Sequence, residues 1–185
     1  MGIKGNLNNA ESTSNQSKNM EEHWIVYHLK AMDYPKNKLE KRLTLILVGE
    51  NPRERLRKQK EILEWFRSVI KYHKEKMSKH FIPGKTYEWF DEFRKTELSF
   101  DIQWLSLPQP SRKSSSSKIN IIIQMRQKII MWYMDEICRI CVKAIASIPV
   151  TDKTEKAIKN REKENKCYEL LFVTADKVDN SMAKK

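Results

Sequence analysis

Glycine is scarce in this chain of 185 residues, which contains only four glycines. Enzymes that cradle phosphates or nucleotides need glycine where the backbone approaches the ligand closely. The sequence contains no GxGxxG, GxxxxGK(S/T) or GxSxG pattern. The common phosphate-binding loops and the nucleophile elbow of hydrolases are therefore excluded.

Long apolar runs are also missing. Within the most apolar stretch, the longest uninterrupted run extends from Ile129 to Met134, far less than the roughly 20 residues of a membrane-spanning helix. The polar N-terminus has no apolar segment of the kind found in signal peptides. We expect a protein without a transmembrane segment in a reducing, intracellular compartment, either cytoplasmic or nuclear.

The chain has three cysteines, and two of them, Cys138 and Cys141, form a C-x-x-C spacing. A metal site needs two further ligands, but the histidines lie far away in the sequence. A redox site needs the motif at a helix N-terminus, whereas this one lies near the end of a predicted helix. We interpret both as core cysteines, and we expect neither a metal nor a cofactor.

No catalytic group is apparent in the sequence. Asp135 and Glu136 are adjacent, so they point in different directions on a helix and cannot act as an acid–base pair. His23 and His28 have no nucleophile nearby in the sequence, and His73 and His80 fall on a basic amphipathic helix. The sequence therefore predicts a protein that is not an enzyme.

The net charge of +12 permits binding to nucleic acid or to an anionic membrane surface. The 36 basic residues are spread along the chain and mixed with 24 acidic ones. This mixing favours a diffuse solvated surface over a dedicated nucleic-acid groove.

Alternating or branched apolar runs predict three strands, at Leu43–Leu47, Phe100–Trp104 and Tyr168–Val173. The segment from His23 to Leu29 fits either a short strand or a helix start. Together with the two helices described next, these runs predict an α+β fold with a mainly antiparallel sheet. The predicted organisation is a disordered tail over residues 1–20, a single domain over residues 21–179 and a basic tail over residues 180–185.

Two long helices are predicted. The first opens at Asn51, a capping residue, with Pro52 at the first helical position, and it continues to about His80. The second extends from Ile119 to Ile148 and ends at a proline. Its buried face is predicted to comprise Ile119, Ile123, Ile130, Tyr133, Met134, Ile137, Cys141, Ala144, Ile145 and Ile148.

Four aromatic residues, Tyr87, Trp89, Phe90 and Phe93, lie within seven positions after the Pro83-Gly84 break. They fit a short helix that inserts its aromatic side chains into the core. They also fit an exposed protrusion, because Trp and Phe at a loop tip make good anchors for a protein partner. We take these four residues as the candidate partner-binding site.

The order of elements resembles the HORMA domain over Leu43 to Asp179. The resemblance rests on Phe100-Asp101-Ile102 and on the segment Cys167 to Lys177. It is greatest to the small HORMA subunit of autophagy initiation, which carries a Trp-Pro-Phe finger where this chain has Trp89-Phe90 without the proline. The resemblance implies a HORMA-like α+β fold and a heterodimer with another HORMA protein or with a scaffold of the kinase complex.

Three functions remain open. The resemblance implies a non-enzymatic adaptor in an autophagy-initiation kinase complex. A HORMA-type adaptor in chromosome or DNA-repair complexes is disfavoured, since the chain ends soon after Asp176 without the long C-terminal segment that wraps a peptide. The third possibility is a small basic nucleic-acid-binding or viral accessory protein, although no recognised module motif is present.

Overall fold

The computed structural model describes residues 20–33, 35–47, 51–149, 155–156 and 159–160. All regular secondary structure in these residues is helical. The first helix, α1, covers residues 20–33 of the described part. The following four are α2 (Lys36–Ile46), α3 (Pro52–Ser78), α4 (Glu88–Leu105) and α5 (Ser116–Ser147).

The boundaries of α3 follow from local chemistry, as the sequence predicts. The side chain of Asn51 accepts hydrogen bonds from the backbone N–H groups of Arg53 and Glu54, at 3.0 and 3.3 Å, and Pro52 occupies the first helical position. Gly84 follows the helix with φ of +83°, a conformation that glycine adopts without the steric cost of a Cβ.

Helix α5 begins where the serine-rich loop ends. The side chain of Ser115 accepts from the backbone N–H of Lys118 and caps the helix. Ile148 is extended because a residue that precedes a proline is disfavoured in the helical conformation. With 32 residues, α5 is the longest helix in the part of the chain that the structure describes.

Helix α5 occupies the centre of the described structure, with α2, α3 and α4 packed against it. Its predicted buried face is confirmed: every member is buried except Ile145, which is partly buried. Ile25, Val26 and Leu29 of α1 belong to the same apolar core. The polar side chain of Gln59 is also buried there, and it donates to Ile123 O and Gln127 Oε1 at 2.9 and 3.0 Å.

The predicted α+β fold with an antiparallel sheet is wrong, because two of its three strands are helical. A strand would place Phe100, Ile102 and Trp104 on one face. In α4, Phe100 is fully buried while Ile102 is 70% exposed, so the two lie on opposite sides of a helix. Similarly, Leu43 of α2 is buried while Leu45 is exposed.

The third predicted strand, Tyr168–Val173, lies outside the described residues, as do the predicted tail at 180–185 and all of the predicted tail at 1–20 except Met20, which is the first residue of α1. The segment from His23 to Leu29, which the sequence left open between strand and helix, is helical. The fold implied by the HORMA resemblance is therefore overturned over the described residues, since it required a sheet where α2 and α4 are found.

Candidate functional site

The four aromatic residues chosen from the sequence lie at the start of α4. Tyr87 precedes the helix, and its ring stacks on Phe81 with the centroids 4.4 Å apart. Phe90 meets the same Phe81 ring edge-to-face at 4.8 Å. The hydroxyl of Tyr87 accepts from the backbone N–H of Ile82 at 3.3 Å. These contacts fix the connection between α3 and α4.

Burial separates the four residues into two pairs. Trp89 is only 7% exposed and Phe93 is fully buried, so the core alternative describes these two. Tyr87 and Phe90 are partly buried and retain surface that faces outwards. Partner binding by this group stays a prediction, and Phe90 is the member that lines a groove described below.

A polar network locks the rotation of α4 about its axis. Arg67 of α3 donates to Glu97 at 2.8 Å and to Asp101 at 3.1 Å, and its guanidinium lies 5.0 Å from the centre of the Phe100 ring. Tyr133 of α5 donates to the other carboxylate oxygen of Glu97. Burial, followed by the negative charge of Glu97, raises the pKa of Tyr133, so this hydroxyl keeps its proton and the hydrogen bond.

This rotation leaves a row of large apolar side chains on the outer side of α4, which we call the apolar ridge. Leu98, Ile102 and Leu105 are 52%, 70% and 77% exposed. Their spacing of four and three residues places them on one face over two helical turns. The sequence carried this spacing, but the alternation of Phe100, Ile102 and Trp104 concealed it.

Two further apolar residues are exposed at the same end of the α4–α5 pair. Ile121 and Met125 lie one turn apart on α5 and are 57% and 37% exposed. The guanidinium of Arg126 lies 4.6 Å from the centre of the Trp104 ring, which places this part of α5 beside the C-terminal end of α4. Exposed apolar area is therefore concentrated at this end of the helix pair.

A groove with a volume of about 530 Å³ lies between α3 and α4, and Phe90 is among its lining residues. We call it the basic groove. Three cationic side chains line it together with two serines, two acidic residues and two apolar residues: Arg67, Lys71, Lys74, Ser68, Ser78, Glu75, Glu97, Ile70 and Phe90.

The cysteines and histidines form no metal site among the described residues, where no group of three or more His, Cys, Asp or Glu side chains is arranged to hold an ion. Cys138 and Cys141 are buried, as predicted for core cysteines. Burial raises the pKa of both thiols, that of Cys141 to about 12, so both stay protonated and unreactive near neutral pH.

Comparisons with protein-family models, with curated proteins and with solved structures find no match for this chain. None of the described helices combines the length and apolar character needed to cross a membrane. The interpretation of function therefore depends on the apolar ridge and the basic groove.

Proposed function

We propose that this protein is a non-enzymatic adaptor, and that its apolar ridge binds an amphipathic helix of a protein partner. The observation that carries the proposal is the exposure of Leu98, Ile102 and Leu105 in one row. Single exposed apolar residues are ordinary on protein surfaces, whereas a row of three on one helix face is typical of a contact site.

The free energy available from covering the ridge is sufficient for a specific contact. Burying an exposed Leu or Ile side chain stabilises by about 1.5–3 kcal/mol. Because about half to three quarters of each ridge side chain is exposed, complete coverage would contribute on the order of 3–6 kcal/mol. Ile121 and Met125 on α5 add area at the same end of the helix pair.

A helix is the partner element that fits this geometry. From Leu98 to Leu105 the ridge rises about 10 Å along α4, and its residues repeat with the spacing of one helix face. A partner helix with apolar residues at the same spacing interdigitates with such a row. The network of Arg67, Glu97 and Tyr133 holds the row in place, so little ordering is needed on binding.

The more specific assignments stay predictions. An adaptor role in autophagy initiation, or in chromosome and DNA-repair complexes, was implied by the HORMA resemblance, whose sheet is replaced by helices in the described residues. The apolar ridge supports protein binding without identifying the partner.

The proposal predicts that Leu98→Ser/Ile102→Ser abolishes capture of the partner from an extract of the native cells. The matched control is Val142→Ser, which removes an aliphatic side chain of similar exposure (60%) from a different helix. Proteins captured by the wild type and by the control, but not by the double variant, are identified and purified. Titration calorimetry should then show affinity about 10- to 100-fold weaker for the double variant.

Equal capture and equal affinity for the wild type and the double variant would contradict the proposal. Thermal melting serves as the folding control, because both ridge side chains are exposed and their replacement should leave the melting temperature nearly unchanged.

A further inference from the structure

The C-terminal third of α3 is rich in lysine. Lys71, Lys74, Lys76 and Lys79 all lie within this region or directly after it, and no described carboxylate is within ion-pair distance of any of them. The N-terminal part of α3 differs, because Arg57 pairs with Glu54 and Glu61, and Lys60 pairs with Glu64. The lysines at the C-terminal end therefore form no ion pair with a described carboxylate, although the net charge of α3 is positive at both ends.

The acidic residues of the basic groove offset only part of the charge of its three cationic residues. Glu97 is bound to Arg67 and Tyr133 and belongs to the network that holds α4 in place. Glu75 is exposed and is the other acidic lining residue. Lys71 and Lys74 thus present two ammonium groups to the groove that have no described carboxylate partner.

Apolar surface lies directly beside these charges. The rings of Phe90 and Phe93 have their centres 5.7 Å from the Nζ atom of Lys74, and Phe90 lines the groove together with Ile70. The ammonium group of Lys74 and the ring of Phe90 are therefore close enough to contact the phosphate and the base of one nucleotide.

We propose that the basic groove binds single-stranded nucleic acid, with phosphates against Lys71 and Lys74 and a base against Phe90. Single-strand sites combine a positive groove along the backbone with aromatic side chains that contact bases. An acidic peptide would use the lysines but would make no specific use of the aromatic ring. A membrane surface is flat and would not enter a concave site. The site is separate from the apolar ridge and does not depend on the proposed protein partner.

The test is fluorescence anisotropy with a labelled single strand of uridines or thymidines, about 20 nucleotides long. Lys71→Glu/Lys74→Glu should weaken binding at least about 10-fold. The slope of log affinity against log salt concentration should become shallower by about 1.4, because each lost phosphate contact removes about 0.7. The control Lys118→Glu/Lys128→Glu makes the same charge change with exposed lysines on α5, and it should stay within about threefold of the wild type with an unchanged slope.

A second variant tests the aromatic contact. Phe90→Leu retains an apolar side chain of similar size, and it should weaken binding about 5- to 10-fold without changing the salt slope. Thermal melting identifies any variant whose loss of affinity reflects unfolding.

Three results would overturn the proposal. Equal weakening by the two charge-reversal pairs would indicate a diffuse electrostatic attraction. If polyglutamate displaces the labelled strand as effectively as unlabelled oligonucleotide at the same concentration of negative charge, the groove is a site for acidic peptides. If the protein sediments with phosphatidylserine vesicles in a way that depends on Lys71 and Lys74, but does not bind the oligonucleotide, the groove is a membrane contact.

Discussion

At the scale of single residues, the buried pair His28 and His73 is expected to make the stability of the core depend on pH. Their Nδ1 atoms are 3.0 Å apart, so one ring donates and the other accepts, an arrangement that two protonated rings cannot make. Burial, followed by the nearby charges of His73, His80 and Lys76, lowers the pKa of His28 to about 3. Burial lowers the pKa of His73 to about 4. His80 in turn contacts Glu21, whose carboxylate is 2.7 Å from its ring nitrogen.

These lowered pKa values predict that the protein loses stability as the pH falls below about 6.5. Above that pH both rings are neutral in the folded and the unfolded chain. Below it the unfolded chain binds protons that the folded chain excludes, so the free energy of unfolding decreases until the folded pKa values are reached. The two rings should together remove about 4 kcal/mol between about pH 7 and about pH 5.

Urea unfolding at several pH values measures this effect. His28→Gln/His73→Gln replaces both rings with neutral groups that form hydrogen bonds, so most of the decrease over this range should disappear. The comparison uses the change with pH rather than the absolute stability, because glutamine also alters the packing. An unchanged pH dependence in the double variant would show that other groups cause it.

At the scale of elements, α5 presents two contrasting faces over its length. Ile130 lies on the buried face and is completely inaccessible, whereas Ile121 lies on another face and is 57% exposed. The same substitution on the two faces of one helix therefore separates burial from helix propensity.

We predict that Ile130→Asp unfolds the protein, while Ile121→Asp does not. A carboxylate buried without a partner costs several kcal/mol, a large fraction of the roughly 5–15 kcal/mol that stabilises a typical domain. On the exposed face the same carboxylate stays hydrated, and only a small loss of stability is expected. Circular dichroism during thermal melting measures both variants, and equal melting temperatures would contradict the assigned faces.

Helices α3 and α5 could be predicted from the sequence because each combines long periodicity with local signals at its ends. Asn51 and Pro52 act within a few residues of their own position, and Pro149 stops α5 without tertiary help. The cap at Ser115 was not predicted, and α5 begins at Ser116, three residues before the predicted start at Ile119. The apolar period over roughly 30 residues excludes a strand.

Helices α2 and α4 could not be distinguished from strands by the same reasoning. Over only five residues, apolar positions that fit a strand can also fit a helix. Phe100 and Trp104 are four residues apart, so they would share a face in a strand, and in α4 they also share a face, with their ring centroids 5.5 Å apart. The choice between the two depends on contacts distant in the sequence, such as that of Arg67 with Glu97 and Asp101. The apolar ridge was missed for the same reason, since it exists only if α4 is a helix.

At the scale of the whole molecule, α4 connects the features that are assigned a function. One side of α4 packs against the central helix α5, and the basic groove separates α4 from the C-terminal half of α3. The outer side carries the apolar ridge. The proposed protein partner and the proposed nucleic acid would therefore contact different surfaces of α4.

The most direct test of the adaptor proposal is whether the apolar ridge is covered in the cell. In a Cys167→Ser background, Ile102→Cys places a thiol on the ridge, and Val142→Cys places one at a control position of similar exposure. The rate of maleimide labelling is compared between the purified protein and a native-cell extract in which the variant is expressed at its natural level. We predict that labelling at position 102 is rapid for the purified protein and slowed about 10-fold or more in the extract, with no change at position 142. Equal protection of both positions, or none at position 102, would contradict the proposal that the ridge binds a partner.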